Sequence, residues 1–284
     1  MLRLDVNDNG IATLWLDGGG RSVVILDRNL IQRLNTTLDA IEQQTSITGL
    51  VLRSDCDRVF VAGADLAEID ALDDHGLHAY LAFGTTVFGR LCTLPYPTVA
   101  CINGAALGGG LEIAMHCDAM IASVITCQGK EFSMGLPEAS LGLCPGWGGS
   151  QMLPARIDPK VAMKATATGK LFKSDKLPDG FVNELVETTD ELQQTAENWL
   201  HNNTSSGTSP NSINQNEKDR FVTALSAARR ETEQTEAATS VFYAIETGIK
   251  DGWTAAVAVE QCELVRLRHT PVAREKLDAF LSKG

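Results

Sequence analysis

The sequence predicts an α/β fold, and three observations carry that prediction. Short apolar runs alternate with helical patterns along the first part of the chain, glycine-rich turns follow several of those runs, and the last part reads as helix alone. In order, Ile11–Leu16 alternates like a strand and ends in the turn Asp17-Gly18-Gly19-Gly20. Leu30, Leu34, Leu38 and Ile41 then draw one apolar helical stripe. Gly49–Leu52 and Thr98–Ile102 are short apolar runs of the kind buried on both faces of a parallel sheet. Between them Leu77–Leu94 reads as a helix stopped by Pro95 and Pro97. Ala119–Val124 and Phe181–Val186 are weaker strand candidates. A polar stretch follows, from His201 to Asn216, expected to be an exposed loop, and helical patterns resume near Arg220 with breaks at Gly252 and Pro271. The expected division is an α/β core over 1–200, a polar loop over 201–216 and a helical region over 217–284.

Composition narrows the function. The 284 residues carry 24 basic and 36 acidic side chains, a net charge of −12. That balance argues against DNA or RNA as the main partner, because a phosphate backbone rewards clustered Lys and Arg. No apolar run approaches the ~20 residues needed to span a bilayer. The first residues carry no signal-like apolar stretch, so a cytoplasmic location is expected. Seven widely spaced cysteines with no Cys-x-x-Cys pair read as reduced thiols.

Chemistry concentrates in three segments. Asn103-Gly104 leads to Gly108-Gly109-Gly110-Leu111-Glu112 at a junction from a buried strand to a helix, where glycines let backbone N–H groups approach a ligand. A dinucleotide fingerprint fails there because its third glycine would fall at Ile113. A phosphate-binding P-loop fails because no Lys follows the glycines. An oxyanion site and a plain tight turn both remain open, and Glu112 itself would suit a helix N-terminus without any further role. Glu138, in Leu136-Pro137-Glu138, precedes the uncharged glycine-rich run Leu141 to Ser150, surroundings that would raise a carboxyl pKa; a surface Glu after a proline is the plainer alternative. Ala62-Gly63-Ala64-Asp65-Leu66 is a strand-to-helix turn with Asp65 as its N-cap. The five histidines show no compelling metal spacing, and no Gly-x-Ser-x-Gly elbow occurs.

In this order and spacing, the segments Ala62–Leu66, Asn103–Glu112, Leu136–Glu138 and Leu141–Ser150 resemble the crotonase, or enoyl-CoA hydratase/isomerase, superfamily. The wording around Leu136-Pro137-Glu138 and Pro145-Gly146-Trp147-Gly148-Gly149 is most similar to the hydratase portion of multifunctional fatty-acid oxidation proteins. The resemblance runs from about residue 10 to 187 and then loosens to the terminal Ala279–Lys283. It implies a crotonase-like spiral of ββα turns followed by helices that trimerise or cover a neighbour, hence a homotrimer or dimer of trimers. It also implies an acyl-CoA substrate and no separate cofactor or metal.

Carried onto this chain, the resemblance implies an oxyanion hole from the N–H groups of Ala64 and Gly109. It implies catalysis by Glu112 and Glu138, and substrate contacts at Ala62, Asp65, Leu66 and Gly108. Arg58 stands where relatives often place a CoA-contacting base; Arg21 and Lys283 are weaker candidates. Retention of both glutamates favours syn hydration of a 2-enoyl-CoA over Δ3,Δ2-isomerisation, where relatives often keep only the later Glu. A non-catalytic CoA-binding scaffold and a nucleotide-binding module are the remaining alternatives. Departures from the family include apolar Ser22–Ile25 in the first loop, no base at Ala67, and Pro178 where relatives continue a helix. A further departure is an insertion around Val124–Glu131, expected to reshape the acyl pocket.

Overall fold

The chain builds two sheets at once. The computed structural model describes residues 1–282 except 205, 206 and 208. It opens with β1 (Arg3–Val6), β2 (Ile11–Leu16) and α1 (Arg28–Glu42). Asp27 caps α1 by accepting from the Leu30 amide at 2.7 Å, and the Leu30, Leu34, Leu38 and Ile41 stripe is buried, as its spacing requires. Then come β3 (Gly49–Ser54), β4 (Val59–Val61), α2 (Leu66–Ala71) and α3 (Asp74–Thr93). Next are β5 (Thr98–Ile102), β6 (Ala105–Leu107) and α4 (Gly109–Met115), followed by β7 (Ala119–Ser123), β8 (Ser133–Gly135) and a 3-10 turn at Glu138–Leu141. The order continues with α5 (Gly149–Arg156), α6 (Pro159–Thr168), β9 (Leu171–Lys173), β10 (Glu184–Val186) and α7 (Leu192–Asn202). It ends in α8 (Lys218–Arg230), α9 (Glu236–Asp251), α10 (Trp253–Leu267) and α11 (Pro271–Leu281).

One sheet runs β1-β2-β3-β5-β7-β10, parallel except for the β1–β2 pair, and the other runs β4-β6-β8-β9. Three successive turns of chain therefore lay a strand in the large sheet, then one in the small sheet, then a helix or 3-10 turn. This is the expected α/β spiral of ββα turns with a helical C-terminal region. The strands β4, β6 and β8 are parallel neighbours, so they finish at the same edge of the small sheet. Adjacent strands stand about 4.8 Å apart. The three segments that follow them therefore start side by side, and the Gly108 amide, one residue past β6, donates to Gly135 O of β8 at 2.9 Å.

Several elements differ from expectation. The Phe181–Val186 strand shortens to β10, because Phe181 turns inward and packs edge-on against Phe172 with ring centres 5.5 Å apart. After β9 the chain turns through Pro178 and Gly180 without a helix. The polar stretch is not exposed throughout: α7 reaches Asn202, and Ile213 is buried, its amide donating to Gln151 O at 3.1 Å. Cys92, Cys101, Cys117 and Cys144 are buried, Cys56 is half-buried, and Cys127 and Cys262 are exposed; all are unpaired. No described helix is long and apolar enough to cross a membrane.

One hydrophobic core reaches from Leu2 to Leu277 and takes in the faces of α8, α9, α10 and α11. The last helix is held over the small-sheet edge. Arg268, at the end of α10, is buried and donates to the carbonyls of Ile69 and Leu72, each at 2.6 Å, and to Asp74. Arg274 of α11 pairs with Asp70. Replacing Arg268 by Ala strands the buried carbonyl oxygen of Ile69 and the half-buried one of Leu72, and we expect a loss of about 3 kcal/mol. Urea unfolding of R268A against the parent measures it, and an unchanged midpoint would refute the anchor.

Candidate active site

The stacked segments enclose a cavity of about 480 Å³. From the first turn come Ala62, Ala64, Asp65 and Leu66, from the second Gly108, Gly109 and Glu112, and from the third Pro137 and Glu138. Apolar side chains such as Leu81, Leu143 and Trp147 form the inner wall, and Phe280 and Leu281 of α11 close one side. Eight of the residues singled out in the sequence thus meet in one place, although Ala62 and Glu138 are 76 positions apart.

Each segment adopts its shape for a local reason. Asp65 caps α2, accepting from the amides of Ala67 at 2.9 Å and Glu68 at 3.3 Å. Gly108 sits at φ +53°, and a Cβ there would lie 2.6 Å from Glu138 Oε1, so only glycine lets that carboxyl approach the turn. A Cβ on Gly109 would lie 2.4 Å from the Trp147 ring. The indole is buried between Gly109 and Gly84, where a Cβ would come equally close, and its N–H donates to Leu81 O at 2.9 Å. Tyr80 and Phe88 meet it edge-on, with ring centres 5.5 and 5.1 Å away. The amides of Gly108, Leu111 and Glu112 are spent on backbone carbonyls of the turn and its neighbours, whereas those of Ala64 and Gly109 take no part in these bonds.

The two glutamates have different environments. Glu112 is 1% exposed, and its Oε1 accepts from the amides of Trp147 and Gly149, each at 2.8 Å. Burial pushes its carboxyl pKa well up, the negative charges of Glu138 and Glu260 add to the rise, and the two amides oppose it. Glu138 begins the 3-10 turn; its Oε2 is sealed from solvent and has no hydrogen-bond partner. Burial pushes its pKa up as well, with the charge of Glu260 contributing. Carboxyls raised together in one enclosure titrate as a set.

The proposed basic contacts are placed elsewhere. Arg58 is exposed and lines a separate polar concavity of about 510 Å³ with Arg21 and the Asp17–Ser22 loop. Arg21 is engaged by Asp27 at 3.1 Å and Asp65 at 3.4 Å, so its charge faces its own acids. Lys283 lies outside the described residues. The Val124–Glu131 insertion contributes nothing to the 480 Å³ cavity, contrary to expectation. Ser174 pins its start by donating to Val124 O at 2.6 Å; Cys127 meets Asp57 O, and Gln128 borders the polar concavity. His75 and His78 belong to α3, and no group of His, Cys, Asp and Glu suited to a metal occurs among the described residues.

Sequence reasoning missed Glu260. This α10 residue is fully buried, and it accepts from the amides of Gly148 at 2.6 Å and Ser150 at 2.9 Å. Its signal was an acid directly after the apolar run Ala255–Val259. Burial raises its carboxyl pKa too, against the hydrogen bonds that favour the charge.

A raised carboxyl has a sign that stability can read. The folded chain holds the Glu138 proton, pushed up to about 8, more tightly than the unfolded chain does. Stability therefore falls as pH rises from the ordinary carboxylate range toward that value. E138Q removes this slope: we expect it to melt above the parent at pH 9 and alongside it at pH 4. Parallel melting curves across that range would contradict the buried carboxyl.

Comparisons with known proteins agree with this architecture. The enoyl-CoA hydratase/isomerase family profile matches residues 10–257. Among solved structures, an enoyl-CoA hydratase from Bacillus halodurans shares 22% identity with a TM-score of 0.69, over 98% of this chain and 99% of that one. The human mitochondrial delta3-delta2-enoyl-CoA isomerase shares 20% with a TM-score of 0.71, over 99% and 97%. An enoyl-CoA hydratase from Bacillus anthracis shares 24% with a TM-score of 0.62, over 99% and 96%. These likenesses are to the fold; the profile, covering most of the chain, places it in a family. The chain belongs to the enoyl-CoA hydratase/isomerase family of the crotonase superfamily.

Proposed function

We propose that the protein hydrates a 2-enoyl-CoA thioester reversibly to a 3-hydroxyacyl-CoA. The observation that carries this reading is the meeting of Glu112 and Glu138 in one apolar cavity, the first fixed by two amides and the second with an unpartnered oxygen. Moving one proton along an acyl chain needs one base; adding water needs a group to take a proton from water and a group to give one to carbon.

In the proposed reaction the thioester carbonyl lies between the N–H groups of Ala64 and Gly109, which stabilise the enolate oxygen as charge develops. Glu112, as carboxylate, takes a proton from water while the water oxygen bonds to C3. The C2=C3 electron pair moves toward the carbonyl, and the Glu138 carboxyl delivers its proton to C2 as the enolate collapses. The two amides on Glu112 favour its ionised form and the lack of any donor at Glu138 Oε2 favours the protonated one, which matches that division. Within the coupled pair, one shared proton suffices for either direction.

Ala62, Asp65, Leu66 and Gly108 would seat the CoA end of the acyl group. Arg58 and Arg21 would meet phosphates only outside the cavity, on the polar concavity beside it. Assembly as a homotrimer or dimer of trimers belongs to the same proposal.

Loss of the conjugated enoyl thioester absorbance on adding the protein to a short-chain 2-enoyl-CoA tests the reading. Replacing Glu138 or Glu112 by Gln should lower turnover about 10²–10⁴-fold. Conversion of a 3-enoyl-CoA with no hydration of the 2-enoyl isomer would make the protein an isomerase. Binding of acyl-CoA without any turnover would make it a scaffold.

A further inference from the structure

Trp147-Gly148-Gly149-Ser150 presents four consecutive backbone N–H groups, and two buried carboxylates divide them alternately. Glu112 takes those of Trp147 and Gly149; Glu260 takes those of Gly148 and Ser150. The four amides lie at the N-terminus of α5 between two acceptors, one from α4 and one from α10, so neither carboxylate can shift without moving the turn that holds the other. Gly148 sits at φ +94°, and a Cβ there would lie 2.0 Å from Trp253, so the turn has no slack on the α10 side. A carboxylate is a costly way to hold a turn. Glu260 is fully buried, and among the described residues no basic side chain pairs with it. An amide or an apolar side chain would fill the space without the desolvation penalty of a charge.

We propose that Glu260 is a positioning residue: by clamping Gly148 and Ser150 it aims the Trp147 and Gly149 amides at Glu112, and its own charge sets the pH at which Glu112 ionises. The catalytic part of this rests on the hydratase reading above; the clamp does not. Glu260 does not line the cavity, so it acts through Glu112 and not on the substrate. The groups around it are Glu112 from α4, Glu138 from the 3-10 turn, and Cys144, whose thiol donates to the Glu260 carbonyl at 3.3 Å. The Ser150 hydroxyl bonds its carboxylate, and Glu263 lies one turn along the same helix. All the charged members are acids, so removing the Glu260 charge lowers the pH needed to ionise the remainder.

The test titrates the glutamate carboxyl carbons by NMR in protein labelled at that carbon, with E112Q and E138Q identifying the two resonances by their loss. In E260Q the Glu112 midpoint should fall by about one pH unit. S150A removes the hydroxyl that favours the charged form of Glu260, so Glu260 holds its proton more tightly, less negative charge faces Glu112, and the midpoint should move the same way by less. In parallel, E260Q should lower kcat about 10–100-fold while KM for a 2-enoyl-CoA stays within about threefold. An unmoved Glu112 midpoint in folded E260Q overturns the proposal. If E260Q does not fold, an unmoved midpoint in S150A overturns it equally. Absence of hydration by the parent protein would remove the hydratase reading alone, because the carboxyl titration is read without turnover.

Discussion

Three short strands of the small sheet must end together, and most of the site follows from that constraint. A parallel pair needs a long crossover between its members, and here each crossover includes a strand of the large sheet. The Val59↔Ala105 and Leu107↔Gly135 pairings then bring together segments far apart in the chain. Without this register Ala64, Gly109 and Glu138 would be three unrelated turn residues. The bond from the Gly108 amide to Gly135 O extends the ladder one residue past β6, so the site is built as a continuation of the sheet.

The second organising feature is electrostatic. Three buried carboxyls, Glu112, Glu138 and Glu260, share one region with no cation paired to them among the described residues, and backbone amides together with the Ser150 hydroxyl supply the opposing polarity. Amides are dipoles, so they support a carboxylate without cancelling its charge. The raised affinity for protons that results costs stability at alkaline pH. It keeps an acid in its protonated form in neutral solution, which a nearby arginine would prevent. The distribution of bases agrees: Arg21 and Arg58 stay in the polar concavity outside, and Arg268 and Arg274 are used to hold the terminal helix.

Much of this was legible in the chain. The stripe of α1, the glycine junction before Glu112 and the Asp65 cap are local: their spacing or residue type states its own reason. The same holds for the α/β alternation, whereas the eight candidates that line the cavity were named through the family resemblance. What was not legible depends on contacts between distant positions. Glu260 reaches Gly148 across 112 positions, and nothing in its own helix names that partner. Arg21 is a weaker candidate for a CoA contact in the sequence, and only the fold sets Asp27 and Asp65 against it. The Val124–Glu131 insertion precedes Glu138 in sequence, yet Ser174, fifty positions later, ties it to the opposite side of the sheet edge.

Trp147 gives the site a property that no single motif carries. Its ring is the surface on which Gly109 rests on one side and Gly84 on the other, and the same side chain lines the cavity. Depth of the cavity and placement of the Gly109 amide are therefore one variable. In the proposed reaction, trimming the indole to admit a longer chain also removes the floor beneath the amide proposed to hold the carbonyl. Selectivity in this protein cannot be redesigned at that residue without compensation in α3, where Gly84 would have to give back the lost volume.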